Sequence, residues 1–260
     1  MKKRNALKWV SFGLLWLSGV AVAQPVHMLT SARPVDSGGV RPVRDNSPAL
    51  ATPARTFEEL RMVPLFGETA KSAEHIEWEI RFLNDCDQNF ATREEASTFF
   101  AARGWDYLTE GQLDTAVHRF NLAYVLNPRN ADSYWGMGVV TYQRNQLPEA
   151  VQLLRKGVEV VDTNAVLITD LATIQLKLYE TTRDGQLLTD AVAWLNRSAA
   201  LRPDYASTFV RLSWAHFARE EYATAWTHLH RARAIDLSSI DVTYLQQLLS
   251  RMPDPQGFFK

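Results

Sequence analysis

Residues 131–164, ADSYWGMGVVTYQRNQLPEAVQLLRKGVEVVDTN, decide the fold because their pattern recurs on both sides of them. Ala150 in this stretch lies 34 residues after Ala116 and 41 residues before Ala191, and Ala225 follows after another 34. A period of 34 residues is the length of a helix–turn–helix repeat, and such repeats stack because one unit alone does not bury its apolar face. The spacing therefore predicts an all-α solenoid with a long groove.

A second set of positions has the same spacing as the alanines: Pro128, Asp162, Pro203 and Leu237. Two markers with the same offsets are hard to obtain by chance, and together they indicate four copies of one unit. In each copy, small residues let the two helices approach closely, large residues fill the space between units, and a proline ends the second helix. The predicted repeat core comprises Phe100, Gly104, Tyr107, Ala116, Phe120, Ala123, Pro128, Tyr134, Gly138, Ala150, Leu154, Ala191, Pro203 and Ala225.

The pattern resembles the tetratricopeptide repeat family, most clearly in residues 103–108, 122–123, 127–128 and 134–136. The resemblance covers residues 97–237 and implies a right-handed superhelical solenoid of helix–turn–helix units. The predicted units are residues 97–130, 131–164, 165–205 and 206–238.

The third unit departs from the family pattern. Ala172 replaces the small glycine, and seven extra residues fall before Ala191, around Glu180 to Thr189. Seven residues are close to two helical turns, so longer helices would keep the apolar faces in register.

Residues 1–23 have the composition of a secretory signal peptide. A positively charged N-terminal region is followed by an apolar core from Trp9 to Val20 and by the small residues Ala21–Ala23. This order predicts cleavage after Ala23. The apolar core is short for a membrane span, which needs roughly 20 apolar residues, so we expect no stable span after cleavage. An uncleaved N-terminal anchor is the alternative. The signal predicts an exported protein, periplasmic or extracellular, of a bacterium.

The remaining segments flank the repeats. Residues 24–58 are rich in proline without an apolar period, and we expect a disordered linker there. Residues 59–96 are predicted to form an N-terminal segment and a helix. Residues 239–260 are predicted to form the capping helix and tail that a solenoid needs at its open end.

Composition excludes several function classes. The net charge of -1 and the pI of about 6.6 give no electrostatic signature of nucleic-acid binding. Cys86 is the only cysteine, which rules out an internal disulfide and favours a small half-buried residue on a helix. The sequence contains none of the common catalytic, phosphate-binding or metal-ligating motifs. We therefore predict no enzyme activity, no metal site and no cofactor.

The resemblance implies that particular positions of the first helix in each unit line the groove. The residues at these positions, the candidate groove residues, are Trp105, Trp135, Val139, Tyr142, Gln143, Thr173, Leu176, Val210, Trp214 and Phe217. Tryptophan and tyrosine are frequent anchors of binding interfaces. Two alternatives are ordinary core packing of these aromatics and a groove covered by the apolar string at residues 60–66.

Family members that grip C-terminal carboxylates use lysine, asparagine and arginine at fixed positions, where this chain has Ala101, Trp105, Gly136, Val166 and Asp170. That clamp is absent, so we expect apolar and aromatic contacts, with hydrogen bonds from Asp132, Gln143, Thr169 and Gln175. The sequence predicts a non-catalytic scaffold or assembly adaptor that binds a protein or peptide segment in the bacterial cell envelope. The alternative is a self-associating or self-capped structural protein, whose groove is filled by its own N-terminal segment or by a second copy.

Overall fold

The structure is a computed structural model that describes residues 55–260. The predicted signal peptide, its cleavage site and most of the predicted linker lie outside the described residues. In chain order the helices are α1 (Phe57–Leu60), α2 (Ala73–Asn89), α3 (Arg93–Thr109), α4 (Leu113–Leu126), α5 (Ala131–Gln143), α6 (Leu147–Val160), α7 (Ala165–Thr182), α8 (Gly185–Leu201), α9 (Ala206–Ala218), α10 (Tyr222–Ile235) and α11 (Val242–Arg251). Short 3-10 turns occupy Pro64–Glu68 and Leu237–Ser239.

Helices α3 to α10 form four consecutive antiparallel pairs. The closest packing is within the pairs α3–α4, α5–α6, α7–α8 and α9–α10, and the second helix of each pair packs on the first helix of the next. No strand occurs among residues 55–260. The predicted all-α solenoid of helix–turn–helix units is confirmed.

Two glycines allow the helices within a unit to approach closely. A Cβ atom at Gly104 would lie 2.6 Å from Cε1 of Phe120, and one at Gly138 would lie 2.8 Å from Cδ2 of Leu154. These distances are too short for a side chain, so glycine is required by packing rather than by backbone conformation. The predicted small positions therefore coincide with the places where α3 meets α4 and α5 meets α6.

Most predicted core positions are buried. Phe100 and Tyr107 are half-buried. Pro128 and Pro203 lie in the turns after α4 and α8, and both are exposed. The others are buried: Gly104, Ala116, Phe120, Ala123, Tyr134, Gly138, Ala150, Leu154, Ala191 and Ala225.

The extra residues of the third unit lengthen both of its helices. Helix α7 has 18 residues and α8 has 17, whereas α5 has 13 and α6 has 14. The pair still packs between α6 and α9.

Helical structure starts earlier than the linker prediction allows. Thr56 forms a capping box with Glu59 in front of α1, and the ring of Phe57 is buried against Phe66 and His75. Residues 57 and 58 therefore belong to the folded region and not to the linker, because the Phe57 side chain is buried there. Ser72 caps α2 as its side chain accepts a hydrogen bond from the His75 N–H at 3.1 Å. Cys86 lies buried on α2, and burial raises the pKa of its thiol.

Residues 57–68, here called the N-terminal strap, are held by one side chain of α4. The Asn121 side chain accepts a hydrogen bond from the Leu65 N–H at 2.9 Å and donates to the carbonyl oxygens of Arg61 (3.0 Å) and Val63 (2.8 Å). Glu68 adds an ion pair with Lys156 on α6. The strap therefore lies against the second helices of the first two units.

The C-terminal end of the stack is covered by α11 and residues 252–259. The Trp226 indole N–H donates to the Met252 carbonyl oxygen at 3.1 Å. Asp254 accepts hydrogen bonds from the N–H groups of Phe258 and Phe259, and it lies 2.7 Å from Nε2 of His230. Capping at this end thus involves the tail as well as the predicted helix.

Candidate binding groove

The first helices of the units, α3, α5, α7 and α9, carry the ten candidate groove residues, and burial divides these into two groups. The partly exposed group consists of Trp105, Gln143, Thr173, Trp214 and Phe217, and the buried group consists of Trp135, Val139, Tyr142, Leu176 and Val210. Within the buried group, Val210 lines the open cavity described below, whereas Trp135, Val139, Tyr142 and Leu176 do not line it. The expectation that all ten share one open surface is corrected accordingly.

Trp135 shows why the groove is closed at its N-terminal half. Its side chain is 2% exposed and meets the ring of Trp105 edge to face, with the ring centroids 5.2 Å apart. Trp105 contacts Phe120 in the same manner at 5.3 Å. Because these aromatic rings fill the space between α3 and α5, they belong to the core there.

Asp170 lies under the middle of the groove. Its carboxylate accepts a hydrogen bond from the Trp135 indole N–H at 2.9 Å. Burial raises the pKa of Asp170 to about 7, while the bond from Trp135 and the positive charge of Arg211 act in the opposite direction. A carboxyl group with this pKa exists in both protonation states near neutral pH.

The C-terminal half of the groove is open. A cavity of about 1150 Å³ lies between α7, α9 and the start of α11. Its walls include Tyr205, Val210, Trp214 and Tyr244. Two of these residues, Val210 and Trp214, are candidate groove residues.

Arg211 is a candidate binding residue that the sequence analysis did not identify. It lines the cavity beside Trp214, and its guanidinium makes no hydrogen bond or ion pair with any other residue of 55–260. Burial lowers the pKa of Arg211, against the attraction of Asp170. In the sequence, only its position next to the groove residue Val210 could have indicated a role in binding. Such a position is weak evidence, because a lone arginine on a helix is usually a solvated surface residue.

The four predicted hydrogen-bonding residues have different environments. Thr169 is buried, 2.8 Å from the Ser198 hydroxyl and 3.0 Å from that of Thr208, so it joins α7, α8 and α9. Gln175 is buried with both amide atoms unpaired. Asp132 and Gln143 are partly exposed at the ends of α5, and burial raises the pKa of Asp132.

The N-terminal strap does not fill the open cavity. Its hydrogen bonds and ion pairs to the repeats involve Asn121, His118, Met137, Arg144 and Lys156, none of which lines the cavity. The apolar string at 60–66 therefore docks on the chain itself, but outside the cavity.

No group of three or more His, Cys, Asp or Glu side chains within residues 55–260 is arranged to hold a metal ion. None of the helices described between residues 55 and 260 has the length and apolar character needed to cross a membrane.

The chain matches solved structures, although it matches no family model and no curated protein. No protein-family model matches the chain. No curated protein matches it either.

Three solved structures illustrate the structural similarity. A thermophilic TPR protein of Thermus thermophilus is 16% identical, with 62% of this chain and 93% of that chain covered and a TM-score of 0.50. A structure from the functional characterization of pilF of Pseudomonas aeruginosa is 20% identical, with 65% and 79% covered and a TM-score of 0.50. A chain of the APC/C hetero-tetramer Cut9–Hcn1 is 16% identical, with 66% and 32% covered and a TM-score of 0.52. At these identities the similarity concerns the fold.

Proposed function

We propose that this chain, which has the tetratricopeptide repeat fold, is a non-catalytic scaffold that binds a segment of another protein in the open half of its groove. The observation that carries the proposal is the cavity of about 1150 Å³ between α7, α9 and α11, with the partly exposed ring of Trp214 in its wall. A concave site with an aromatic wall and a few polar groups is the usual form of a binding site.

The size and shape of the cavity favour a short segment over a flat protein surface. Tyr205, Trp214 and Tyr244 offer ring faces and edges, while Val210 offers an apolar floor. Aromatic side chains provide large contact areas at a low cost in conformational entropy. The segment would lie across the cavity in an extended or helical form, in contact with both α9 and α11.

The proposal also includes a location. The signal-like residues 1–23 support export, and the partner would then be a protein of the bacterial cell envelope. The mass of the protein recovered from the envelope fraction of cells tests this part: cleavage after Ala23 gives a chain that begins at Gln24. Recovery from the cytoplasmic fraction would contradict export, and an intact N-terminus in the envelope fraction would contradict cleavage alone.

A selection with displayed peptides tests the binding function. Random octapeptides displayed on phage are selected against the immobilised full chain, and the enriched sequences are compared with those selected by variants. We expect Trp214→Ala to abolish enrichment and Trp214→Phe to retain part of it, because an aromatic ring remains. The matched control is Phe99→Ala, since Phe99 is an aromatic residue, 48% exposed, on α3 and outside the cavity.

The proposal fails if no peptide is enriched by the unmodified chain. It fails equally if Trp214→Ala and Phe99→Ala enrich the same peptides as the unmodified chain. Thermal unfolding of each variant separates loss of binding from loss of folding.

A further inference from the structure

The cavity between α7, α9 and α11 contains a positive charge without a partner. Arg211 lines this cavity, and none of the other residues of 55–260 forms a hydrogen bond or an ion pair with its guanidinium. Two arginines of the repeats, by contrast, form ion pairs: Arg144 with Asp114 and Arg197 with Asp162. The guanidinium has five N–H donors in a planar fork, which matches the two oxygens of a carboxylate.

The nearest internal anion does not satisfy this fork. Asp170 attracts Arg211, but its carboxylate accepts the indole N–H of Trp135 and forms no ion pair with the guanidinium. Arg211 is partly exposed, and removing even part of a cation from water is unfavourable unless an anion or hydrogen-bond acceptors compensate it. Binding of a ligand carboxylate to this guanidinium is therefore expected to be favourable.

The other charges around the cavity are already engaged. Lys177 is paired with Glu180 at 2.5 Å, and the Asp241 carboxylate accepts the Tyr244 N–H at 2.8 Å at the start of α11. Asp204 lies 3.8 Å from Arg202. These carboxylates make the mouth of the cavity negative, so they oppose a ligand with several acidic groups.

We propose that the cavity receives one carboxylate side chain, from a glutamate or aspartate within a segment of another protein, through paired hydrogen bonds from Arg211. This inference rests on the proposed function. Residues beside that acidic residue in the segment are neutral or basic, because Glu180, Asp204 and Asp241 lie at the mouth. The aliphatic part of the acidic side chain packs against Trp214.

The composition of the selected octapeptides tests the inference. We expect glutamate or aspartate to be enriched at a single position, with acidic residues depleted at its neighbours. The variant Arg211→Gln should lose this enrichment, and Arg211→Lys should weaken it because a point charge replaces the fork. The control variant is Arg155→Gln, which removes an arginine of α6 outside the cavity and should keep the enrichment.

Affinities measured by isothermal titration give a second readout. For the best synthetic octapeptide, Arg211→Gln should weaken binding at least about tenfold, as expected for lost hydrogen bonds between charged groups. Replacing the acidic residue of the peptide by its amide should weaken binding to the unmodified chain by a similar factor. Both changes together should cost little more than either alone, because they remove the same interaction.

Two results would overturn the inference while the proposed function stands: peptides that depend on Trp214 but show no acidic preference, or binding that changes less than about twofold in Arg211→Gln. Selected peptides with several adjacent acidic residues would also overturn it. If Arg211→Gln does not fold, the inference is tested by the peptide whose acidic residue is replaced by its amide, because that peptide is measured with the unmodified chain. A failure to select any peptide would overturn both proposals.

Discussion

The indole N–H of Trp135 on α5 donates a hydrogen bond of 2.9 Å to the carboxylate of Asp170 on α7. This bond joins the first helices of two neighbouring units across the groove. It explains why Trp135 is 2% exposed, although its position in the repeat suggested a surface anchor. The two residues divide the groove into a filled N-terminal half and an open C-terminal half.

Replacing Trp135 by phenylalanine tests whether this residue is structural. The variant leaves the buried Asp170 without its hydrogen-bond donor, and an unsatisfied buried polar group costs about 1–3 kcal/mol. We expect Trp135→Phe to lower the free energy of unfolding, measured with urea, by about that amount. Trp214→Phe is the comparison, because Trp214 is partly exposed. Equal effects of the two substitutions would contradict the division of the groove.

The raised pKa of Asp170 predicts a pH dependence of stability. Burial sets this pKa at about 7 in the folded chain, whereas an unfolded aspartate titrates near ~3.9. The folded state therefore binds more protons between these values, so the contribution of Asp170 to stability falls as the pH rises through this window. Trp135, Arg211 and Tyr205 are the groups that interact with the carboxyl.

Asp170→Asn removes this titration while keeping an acceptor for the Trp135 indole. We expect the stability of the variant relative to the unmodified chain to be higher at pH 8 than at pH 5. Urea unfolding at both pH values measures it, with the surface variant Asp106→Asn as the control for a general effect of charge. A relative stability that is the same at both pH values would show that Asp170 does not titrate as described.

The glycines at close helix contacts give a prediction with a matched control inside the chain. Gly104→Ala would place a methyl group 2.6 Å from the Phe120 ring, so we expect a loss of about 1–3 kcal/mol of stability from overpacking. Nothing lies within 4 Å of a Cβ at Gly185, the first residue of α8. Gly185→Ala should therefore leave stability unchanged or raise it by up to about 1 kcal/mol. The reverse order of the two effects would refute this packing account.

The attachment of the N-terminal strap depends on Asn121. Asn121→Ala removes all three hydrogen bonds that its side chain makes with Arg61, Val63 and Leu65. We expect faster hydrogen exchange of residues 57–68 by mass spectrometry, with little change in α8 to α10, because these helices belong to later units of the stack. Asn89→Ala, at the exposed end of α2, is the control. Unchanged exchange in the strap would mean that its apolar contacts hold it alone.

The repeat architecture was predictable from the sequence, because close helix packing requires small residues at positions that recur with the repeat period. Gly104, Ala116 and Gly138 mark contacts that admit only small residues, and these contacts recur with every unit. The longer helices α7 and α8 followed from the same logic, since insertion of about two turns preserves the apolar faces.

The open and closed halves of the groove were not predictable from spacing. Repeat position indicates the direction of a side chain, but neighbouring helices determine whether it is covered. Trp135 is covered because Trp105 and Asp170 come from two other helices, and their approach depends on the packing of the whole stack. Arg211 was missed because its significance lies in the absence of a partner among residues 55–260, which a sequence does not record.

Docking of the apolar string at residues 60–66 on the chain itself was one alternative from the sequence, but the surface on which it docks was not predicted. The apolar string at 60–66 indicated burial against the folded part, while the choice of α4 depends on three hydrogen bonds of Asn121 to irregular backbone. Such bonds follow no repeat period.

Photocrosslinking in living cells tests the central claim most directly. A photoreactive residue at position 214 in the cavity is compared with one at position 99, which is exposed on α3 outside it. We predict discrete crosslinked adducts with another protein from position 214 and none of the same size from position 99. The same adducts from both positions, or none from position 214, would contradict a binding function of the open half of the groove.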